Sequence, residues 1–356
     1  MHSIRDDLQA YLHHRMSEPR SGLDDKTSPA RILDALAHSV IPSGEKSAWR
    51  RRPSISNDGV PIVLSFKADR KKEEHIRLLV ESGTLRMNVA QQITHTLTEL
   101  DTLLGLLAWR GAAAQINAVV KQVLPADAKQ TSQWRGGMWL GADVKTDGSE
   151  AELRLYLNLR HGSRGERWGR LAPLLSGFAS DSIIPFLRTW QANALPFAVP
   201  VGLGIVVAEG AVKGVRAYVS VETPSVGSVE AVMTGFERDA HETLVPLFER
   251  FVLDFGVMHP HSVTVGLDFV PGVQKPCRAK TDISCQSIDA GQEARLAAWI
   301  AAYLAQWSYD PSSFRLFMDD IHRFWQGSII QYLSLGFAPK LQHATVYVQP
   351  TYQTSV

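Results

Sequence analysis

The chain has 356 residues, of which 45% are hydrophobic, so it can bury a large core and is not expected to be disordered. Lysine and arginine number 37 and aspartate and glutamate 36, and a net charge of +1 provides no global field for nucleic acid. Cys277 and Cys285 are too few for a disulfide framework, and residues 1–16 are polar, without an apolar signal segment. The low cysteine content favours a reducing cytoplasm, and no stretch is long and apolar enough to span a bilayer. We therefore expect a cytoplasmic protein without nucleic-acid or membrane partners, made of one domain over residues 1–356.

Hairpins and helical segments alternate along the chain. Apolar residues at helical spacing predict helices over 85–124, over 167–194 with interruptions at Pro173 and Pro185, over 230–253, and over 290–306 with a broken continuation to Phe324. Period-two alternation and turn-rich links predict five strand pairs: 61–67 with 76–81, 138–145 with 151–160, 201–208 with 212–222, 262–270 with 277–284, and 329–335 with 344–349.

Three of the strands share one polar pattern. An arginine stands at positions 154, 216 and 278, two equal intervals of 62, with polar side chains two and four residues further on. The three segments are Arg154-Leu-Tyr156-Leu-Asn158, Arg216-Ala-Tyr218-Val-Ser220 and Arg278-Ala-Lys280-Thr-Asp282. Because side chains alternate faces along a strand, each polar set shares one face and the apolar residues between them take the other. Unpaired charge is costly in a dry core, so the polar face is expected to meet water or an anionic ligand.

Five hairpins supply about ten antiparallel strands, and two arrangements would satisfy their faces. In a closed barrel, helices outside cover the apolar face and the polar face lines a lumen wide enough for a ligand. In an open sheet, helices cover one side and the arginine face lies in water. We predict an α/β fold of the first kind, a ten-stranded antiparallel barrel of repeated ααββ units.

Several motifs resemble the aromatic prenyltransferases called ABBA or PT-barrel enzymes, and in particular the dimethylallyltryptophan synthase-like branch of indole prenyltransferases. Besides the Arg-x-Tyr strands, the motifs are Asp58-Gly-Val-Pro61 to Ser65, Arg77 to Glu81, Tyr332-Leu-Ser-Leu335 and Val346-Tyr347-Val-Gln-Pro350. They span most of the chain. The resemblance implies transfer of a prenyl group from an allylic diphosphate, commonly dimethylallyl diphosphate, to an electron-rich aromatic acceptor, most readily an indole. It also implies that no metal or other cofactor is needed.

Carried over position by position, the resemblance implies two groups of site residues. Cationic side chains would hold the diphosphate, and arginine suits this because its guanidinium donates in a fork to phosphate oxygens. These are Arg77, Arg154, Arg216, Arg278 and Lys280. Tyrosines would surround the isoprenoid, where ring faces stabilise an allylic cation and exclude water. These are Tyr156, Tyr218, Tyr332 and Tyr347.

The family also places a lysine on the strand before the first Arg-x-Tyr strand, where it can take a proton from the alkylated ring. Lys145 closes that strand here and shares a face with Asp143, so either is a candidate base. The alternative is that both flank the neighbouring turn in solvent. Two departures stand out: Val63 replaces the glutamate that holds the indole nitrogen in the indole enzymes, and the third repeat has Lys280 and Asp282 but no tyrosine.

These departures keep other functions open. A related enzyme would prenylate a peptide residue or a guanidine nitrogen, and a non-catalytic barrel would bind an anionic small molecule with the same cations. The remaining polar motifs are predicted to be structural or solvated: an Asp282 ion pair with Arg278 or Lys280, an Asp319-Asp320 helix face, an Arg50-Arg51-Arg52 surface run beside Trp49, and a turn at His259 and His261.

Overall fold

The computed structural model describes residues 4–16, 29–40, 62–69, 75–81, 87–123, 138–145, 150–179, 181–256, 258–286, 288, 292–338 and 341–351. The strands are β1 (Ile62–Asp69), β2 (His75–Val80), β3 (Met138–Lys145), β4 (Ala151–Asn158), β5 (Ala198–Ala208), β6 (Ala211–Val221), β7 (Val263–Phe269), β8 (Arg278–Ser284), β9 (Gly327–Phe337) and β10 (Leu341–Thr351). The α-helices are α1 (Ile4–Met16), α2 (Pro29–Val40), α3 (Val89–Leu106), α4 (Ala113–Val123), α5 (Arg164–Ala179), α6 (Ile184–Ala194), α7 (Val226–Val232), α8 (Glu237–Phe255), α9 (Glu293–Gln306) and α10 (Pro311–Phe324).

The ten strands close into one antiparallel barrel in which each strand pairs with its neighbours in sequence. The first strand closes on the last, with Leu64 opposite Val348 and Ser65 opposite Tyr347. Closure leaves no edge with unpaired backbone groups. The predicted ten-stranded barrel is confirmed, and the open-sheet alternative is wrong.

The two faces of each strand meet different surroundings. On β4, Leu153, Leu155 and Leu157 are at most 1% exposed and belong to the continuous apolar core between the barrel and the helices. Burying a side chain of this size contributes about 1.5–3 kcal/mol, so this face holds the helices on the barrel. Arg154 and Tyr156, on the other face of the same strand, point into the lumen, as the alternation predicts.

Helix boundaries follow local chemistry, with three departures from the predicted segments, one of which is the division of segment 230–253 between α7 and α8. The segment 85–124 contains two helices because Ala108 has a φ of 58°, the left-handed region, and ends the run after Leu106. α5 passes through Pro173, so the predicted interruption there is wrong, whereas Pro185 stands in the first turn of α6, where its missing N–H costs nothing. None of the described helices is long and apolar enough to cross a membrane.

The first two helices were not predicted, and an ion-pair cluster holds α1 against α10. Asp320 lies 2.9 Å from Nη1 of Arg15 and 3.1 Å from Nε2 of His14. Tyr11 is buried against Phe324, with ring centroids 5.9 Å apart. The Asp319-Asp320 pair was predicted to be a solvated helix face, which is wrong for Asp320 because α1 covers it.

Candidate active site

Lumen-facing side chains come from alternate residues of every strand, and the sheet register sets which of them are neighbours. Gly204 on β5 lies directly between Tyr156 on β4 and Arg216 on β6, and Gly266 on β7 lies opposite Tyr218 on β6. A β-carbon at Gly204 would stand 3.3 Å from the Tyr218 ring and 3.5 Å from the Tyr156 ring. Strands with large polar side chains therefore alternate with strands that leave space for them.

Arg77 and Arg154 share one buried carboxylate. Nε of Arg77 donates to Oδ2 of Asp143 at 3.0 Å, its Nη2 contacts the same oxygen, and its Nη1 lies 3.4 Å from the hydroxyl of Tyr347. Nη2 of Arg154 lies 3.5 Å from Asp143 and 2.7 Å from Glu152. The two guanidiniums are thereby fixed side by side on β2 and β4.

Two further lumen cations, Arg216 and Lys280, are also paired. Asp268 on β7 accepts from Arg216 in a bidentate fork, with Nη2 to Oδ2 at 2.6 Å and Nε to Oδ1 in close contact. Nζ of Lys280 lies 2.8 Å from Asp282 and 2.9 Å from the hydroxyl of Tyr347. Each of the four cations thus has a carboxylate partner, and two of them converge on one phenol.

The pKa directions follow from these contacts. Burial acts to raise the pKa of Asp143, but the charge of Arg77, the hydrogen bond from His75 and the charge of Arg154 outweigh it and hold that pKa well below its usual value. Burial also acts to raise the pKa of Tyr347, yet Lys280 and Arg77 lower it. The Tyr347 hydroxyl is therefore more acidic than an ordinary phenol.

The predicted tyrosines lie in two contacting pairs. The ring centroids of Tyr156 and Tyr218 are 6.2 Å apart, and those of Tyr332 and Tyr347 are 6.4 Å apart in an edge-to-face arrangement. Nζ of Lys280 lies 4.7 Å from the Tyr347 ring centroid and 6.0 Å from the Tyr218 centroid. The structure therefore brings all four tyrosines to the same lumen as the paired cations.

Val63 belongs to an apolar wall of this lumen. It is 2% exposed and packs in one cluster with Leu79 and Tyr347, against which Tyr156 and Tyr332 also pack. The resemblance described in the sequence analysis leads us to expect a glutamate at this position. The wall has no hydrogen-bond acceptor at position 63 for an indole nitrogen.

Several buried polar atoms of the lumen face have no hydrogen-bond partner among the described residues. They are Nε of Arg154, Nε1 of Trp139 and the hydroxyl oxygens of Ser65, Ser334 and Thr345. Buried polar groups are nearly always satisfied in native proteins, by protein, water or ligand. These atoms offer both donors and acceptors to a polar ligand.

The two candidate bases stand in different surroundings. Asp143 is held ionised by two guanidiniums, and a carboxylate with a low pKa is a weak proton acceptor. Nζ of Lys145 lies 2.9 Å from Glu150, whose side chain is 67% exposed, at the end of β3. Asp143 therefore contacts both arginines, and Lys145, whose own side chain is 14% exposed, is paired at the end of β3.

The remaining predicted residues lie outside the paired cluster. Arg278 is exposed at the start of β8, opposite Asp268 in the register. His261 has a φ of 62° and lies 3.2 Å from the hydroxyl of Ser220, which fits the predicted turn. Cys277 and Cys285 are free thiols, and the described residues contain no cluster of three or more metal-ligating side chains. The run at 50–52 lies outside the described residues.

The predicted ion pair of Asp282 is confirmed, with Lys280 as its partner. Sequence analysis missed two other carboxylate partners, Asp268 and Glu152, and two further lumen residues. Strand pairing is what brings Asp268 to Arg216. Trp139 faces Tyr156 across the β3–β4 pair, and His343 on β10 lies opposite Gly336. Period-two alternation places all four on the lumen face once a barrel is assumed, so the signal was present.

A closed ten-stranded antiparallel barrel with helices outside and a polar lumen is the PT-barrel fold. No protein-family model and no curated protein matches the sequence. Solved structures do match: a 6-dimethylallyl tryptophan synthase has a TM-score of 0.77 at 16% identity, covering 99% of both chains. A 6-dimethylallyltryptophan synthase from Micromonospora olivasterospora, in complex with DMASPP and Trp, has a TM-score of 0.74 at 16% identity over 97% of this chain and 96% of that one. A 5-dimethylallyltryptophan synthase from Streptomyces coelicolor has a TM-score of 0.76 at 14% identity over 97% and 95%. The chain therefore has the fold of the indole prenyltransferases, as its motifs predicted.

Proposed function

We propose that the chain transfers a prenyl group from an allylic diphosphate, in the first instance dimethylallyl diphosphate, to an electron-rich aromatic acceptor such as an indole. One observation carries the proposal: cations from four strands meet a group of tyrosines inside one lumen, joined at Tyr347, whose hydroxyl contacts Arg77 and Lys280. The neighbour from Micromonospora olivasterospora was solved with DMASPP and Trp, which supports the same two ligand classes here.

The two halves of the lumen suit the two products of ionisation. The bond between the allylic carbon and the diphosphate oxygen breaks, and the electron pair leaves with pyrophosphate. Arginine and lysine stabilise that leaving group, while tyrosine faces stabilise the allylic cation and exclude water. A ring carbon of the acceptor then attacks the cation, a carbon–carbon bond forms, and the ring gives its proton to a base, for which Lys145 is the candidate because the pKa of Asp143 is lowered.

The carboxylate partners determine which guanidinium nitrogens remain available to bind a diphosphate. Asp268 engages Nε and Nη2 of Arg216, so Nη1 can donate to phosphate without breaking the pair. Nε of Arg154 is buried and has no partner among the described residues. The pairs therefore hold the guanidiniums in place while leaving donors for the diphosphate, which lowers the ordering cost of binding.

The acceptor must be held without a carboxylate at position 63. Val63 and Leu79 offer apolar contact, and the tyrosines around them offer ring faces. An indole or phenol ring bound by packing fits this wall. A tryptophan residue of a peptide and a guanidine side chain are acceptors to test beside free indoles.

The test measures pyrophosphate release and product mass with dimethylallyl and geranyl diphosphates in EDTA, against indoles, phenols, short tryptophan peptides and arginine peptides. Acceptor-dependent release with a product heavier by one prenyl group is the expected result, and its retention in EDTA would support metal independence. Tight donor binding with no turnover on any acceptor would favour a non-catalytic anion receptor. Failure to bind either donor would refute the proposal.

We also propose a reducing, cytoplasmic location for the enzyme. Cys285 is a buried free thiol, Cys277 is an exposed one, and neither forms a disulfide. Fractionation of cells that produce the tagged chain would test this, with recovery in a secreted fraction as the contrary result.

A further inference from the structure

His343 is a lumen residue that the proposed chemistry does not yet use. It stands on β10, four residues before Tyr347 and on the same face of the strand. In the register it lies opposite Gly336 on β9, and Gly336 in turn lies opposite Lys280 on β8. A glycine is thus the only residue between the imidazole and Lys280 in that row.

The close approach of the ring depends on Gly336. The imidazole of His343 occupies the space that a β-carbon on Gly336 would fill. Among the described residues neither ring nitrogen has a hydrogen-bond partner. The ring is therefore positioned by packing against backbone, with both nitrogens available to a ligand in the lumen.

Four cations act on the charge of this imidazole: Lys67 on β1, Arg77 on β2, Arg216 on β6 and Lys280 on β8. The last three are themselves paired with Asp143, Asp268 and Asp282. In the register His343 lies opposite Gly336 on β9 and Asp69 on β1, and Tyr347 is the titratable neighbour on β10. Desolvation in the lumen and the charges of these cations hold the pKa of His343 well below its usual value. Without an anion in the lumen, burial and these charges therefore favour the neutral ring.

We propose that His343 binds the diphosphate as an imidazolium, so that donor binding draws a proton from solvent onto its ring. An anion carrying several negative charges, placed among the same cations, reverses the local potential that kept the ring neutral. Binding and protonation are then linked, and each favours the other. The inference rests on the proposed function because it takes the diphosphate to lie in this cluster.

Because anion binding and protonation of His343 are linked, the affinity for the anion should depend on pH in a defined way. Where one proton is taken up, the affinity for the anion rises by up to about tenfold for each unit that the pH falls, beyond the change caused by titration of the ligand itself. Removing the imidazole should abolish that part of the pH dependence of the affinity. His343→Gln keeps a polar side chain without the titration.

The experiment is calorimetric titration of the full chain with inorganic pyrophosphate at pH 7.5 in buffers of different ionisation enthalpy, which counts the protons exchanged on binding. The difference between wild type and His343→Gln cancels the ligand's own protons. We expect wild type to take up more protons than the variant, by up to about one, and the two affinities to converge as the pH rises to 8.5. His241→Gln, at a surface histidine whose side chain is 63% exposed, should match wild type.

Gly336→Ala provides a second route, because the added methyl group displaces the ring while keeping the histidine. It should reduce proton uptake as His343→Gln does. Equal proton counts in wild type and both lumen variants, with pyrophosphate still bound, would overturn the inference and leave the proposed function standing. Linked proton uptake without turnover on any acceptor would support the inference and refute the prenyltransferase. No pyrophosphate binding by wild type would overturn both.

Discussion

The first two repeats of the Arg-x-Tyr pattern differ from the third in where their charges lie. On β4 and β6, Arg154 and Arg216 are lumen residues paired with carboxylates, and Tyr156 and Tyr218 contact each other. On β8 the equivalent arginine is exposed, and Lys280 takes the position of the tyrosine.

The difference shows that equal spacing conserves the backbone position but not the role. In the third repeat the cation lies at the level of the rings, and the aromatic partner comes from another strand, Tyr347 on β10. The lumen is therefore asymmetric: one side carries arginine and tyrosine on the same strand, and the other divides them between strands.

The largest expected difference is in kcat/KM, between substitution of an arginine of the first two repeats and substitution of the arginine of the third. We expect Arg216→Gln to lower kcat/KM for prenyl transfer by about 10²–10³-fold, the loss typical when a donor that stabilises developing negative charge is removed. Arg278→Gln should stay within about twofold of wild type because its side chain is exposed. Steady-state kinetics with dimethylallyl diphosphate would measure both.

A double variant distinguishes binding from folding in this test. Arg216→Gln alone leaves Asp268 without its partner, whereas Arg216→Gln with Asp268→Asn removes both charges and should recover much of the lost stability but not the activity. If Arg278→Gln impaired turnover as much as Arg216→Gln, the contrast between the repeats would be wrong.

The next effect concerns the carboxylate that orders the first repeat. Asp143→Asn leaves Arg77 and Arg154 without their shared counter-charge and should cost about 3 kcal/mol of unfolding free energy, as breaking buried pairs does. Lys145→Met should cost less than Asp143→Asn, because Glu150 is 67% exposed and the methionine keeps the aliphatic part of the lysine side chain. Urea unfolding would measure both, and turnover in the Lys145 variant would test its role as base.

The pH dependence of that stability has a definite sign. The pKa of Asp143 is lowered in the folded chain, so its contribution is present above the unfolded value of about 3.9 and is lost as the pH falls below it. The advantage of wild type over Asp143→Asn should therefore shrink between about pH 5 and pH 2. A constant difference across that range would mean that the carboxylate does not titrate with folding.

Substituting the lumen tyrosines should have a smaller effect, on kcat and on the products formed. Tyr218→Leu removes a ring that lies between Tyr156 and the cations and should lower kcat by about tenfold to thirtyfold, since a desolvated cation–π contact contributes about 2 kcal/mol. Tyr218→Phe keeps the ring and should stay within about threefold. Product analysis checks the reason: the leucine variant should release more prenyl alcohol, formed when water captures the cation.

The sequence predicted the barrel and its lumen faces because period-two alternation is a local property. Arg154 and Tyr156 could be assigned to one face without knowing their neighbours. Pairs such as Arg216 with Asp268 depend on strands 52 positions apart and on register, which no single strand contains. Helix α1 was missed because its sequence, from Ile4 to Met16, is largely polar, and it packs through a few residues such as Leu8 and Tyr11.

The smallest effect tests whether glycines shape the arginine side of the lumen. A β-carbon at Gly266 would lie 2.8 Å from Cδ of Arg216 and 3.1 Å from the Tyr218 ring, whereas one at Gly202 would meet nothing closer than the Leu157 carbonyl at 3.4 Å. Gly266→Ala should therefore displace the fork that Arg216 makes with Asp268 and cost about 1–2 kcal/mol in transition-state stabilisation. Gly202→Ala adds the same methyl group on β5, the strand on the other side of β6, and should leave kcat/KM within about twofold. Equal losses in the two variants would mean that strand flexibility, and not the room given to Arg216, is what these glycines provide.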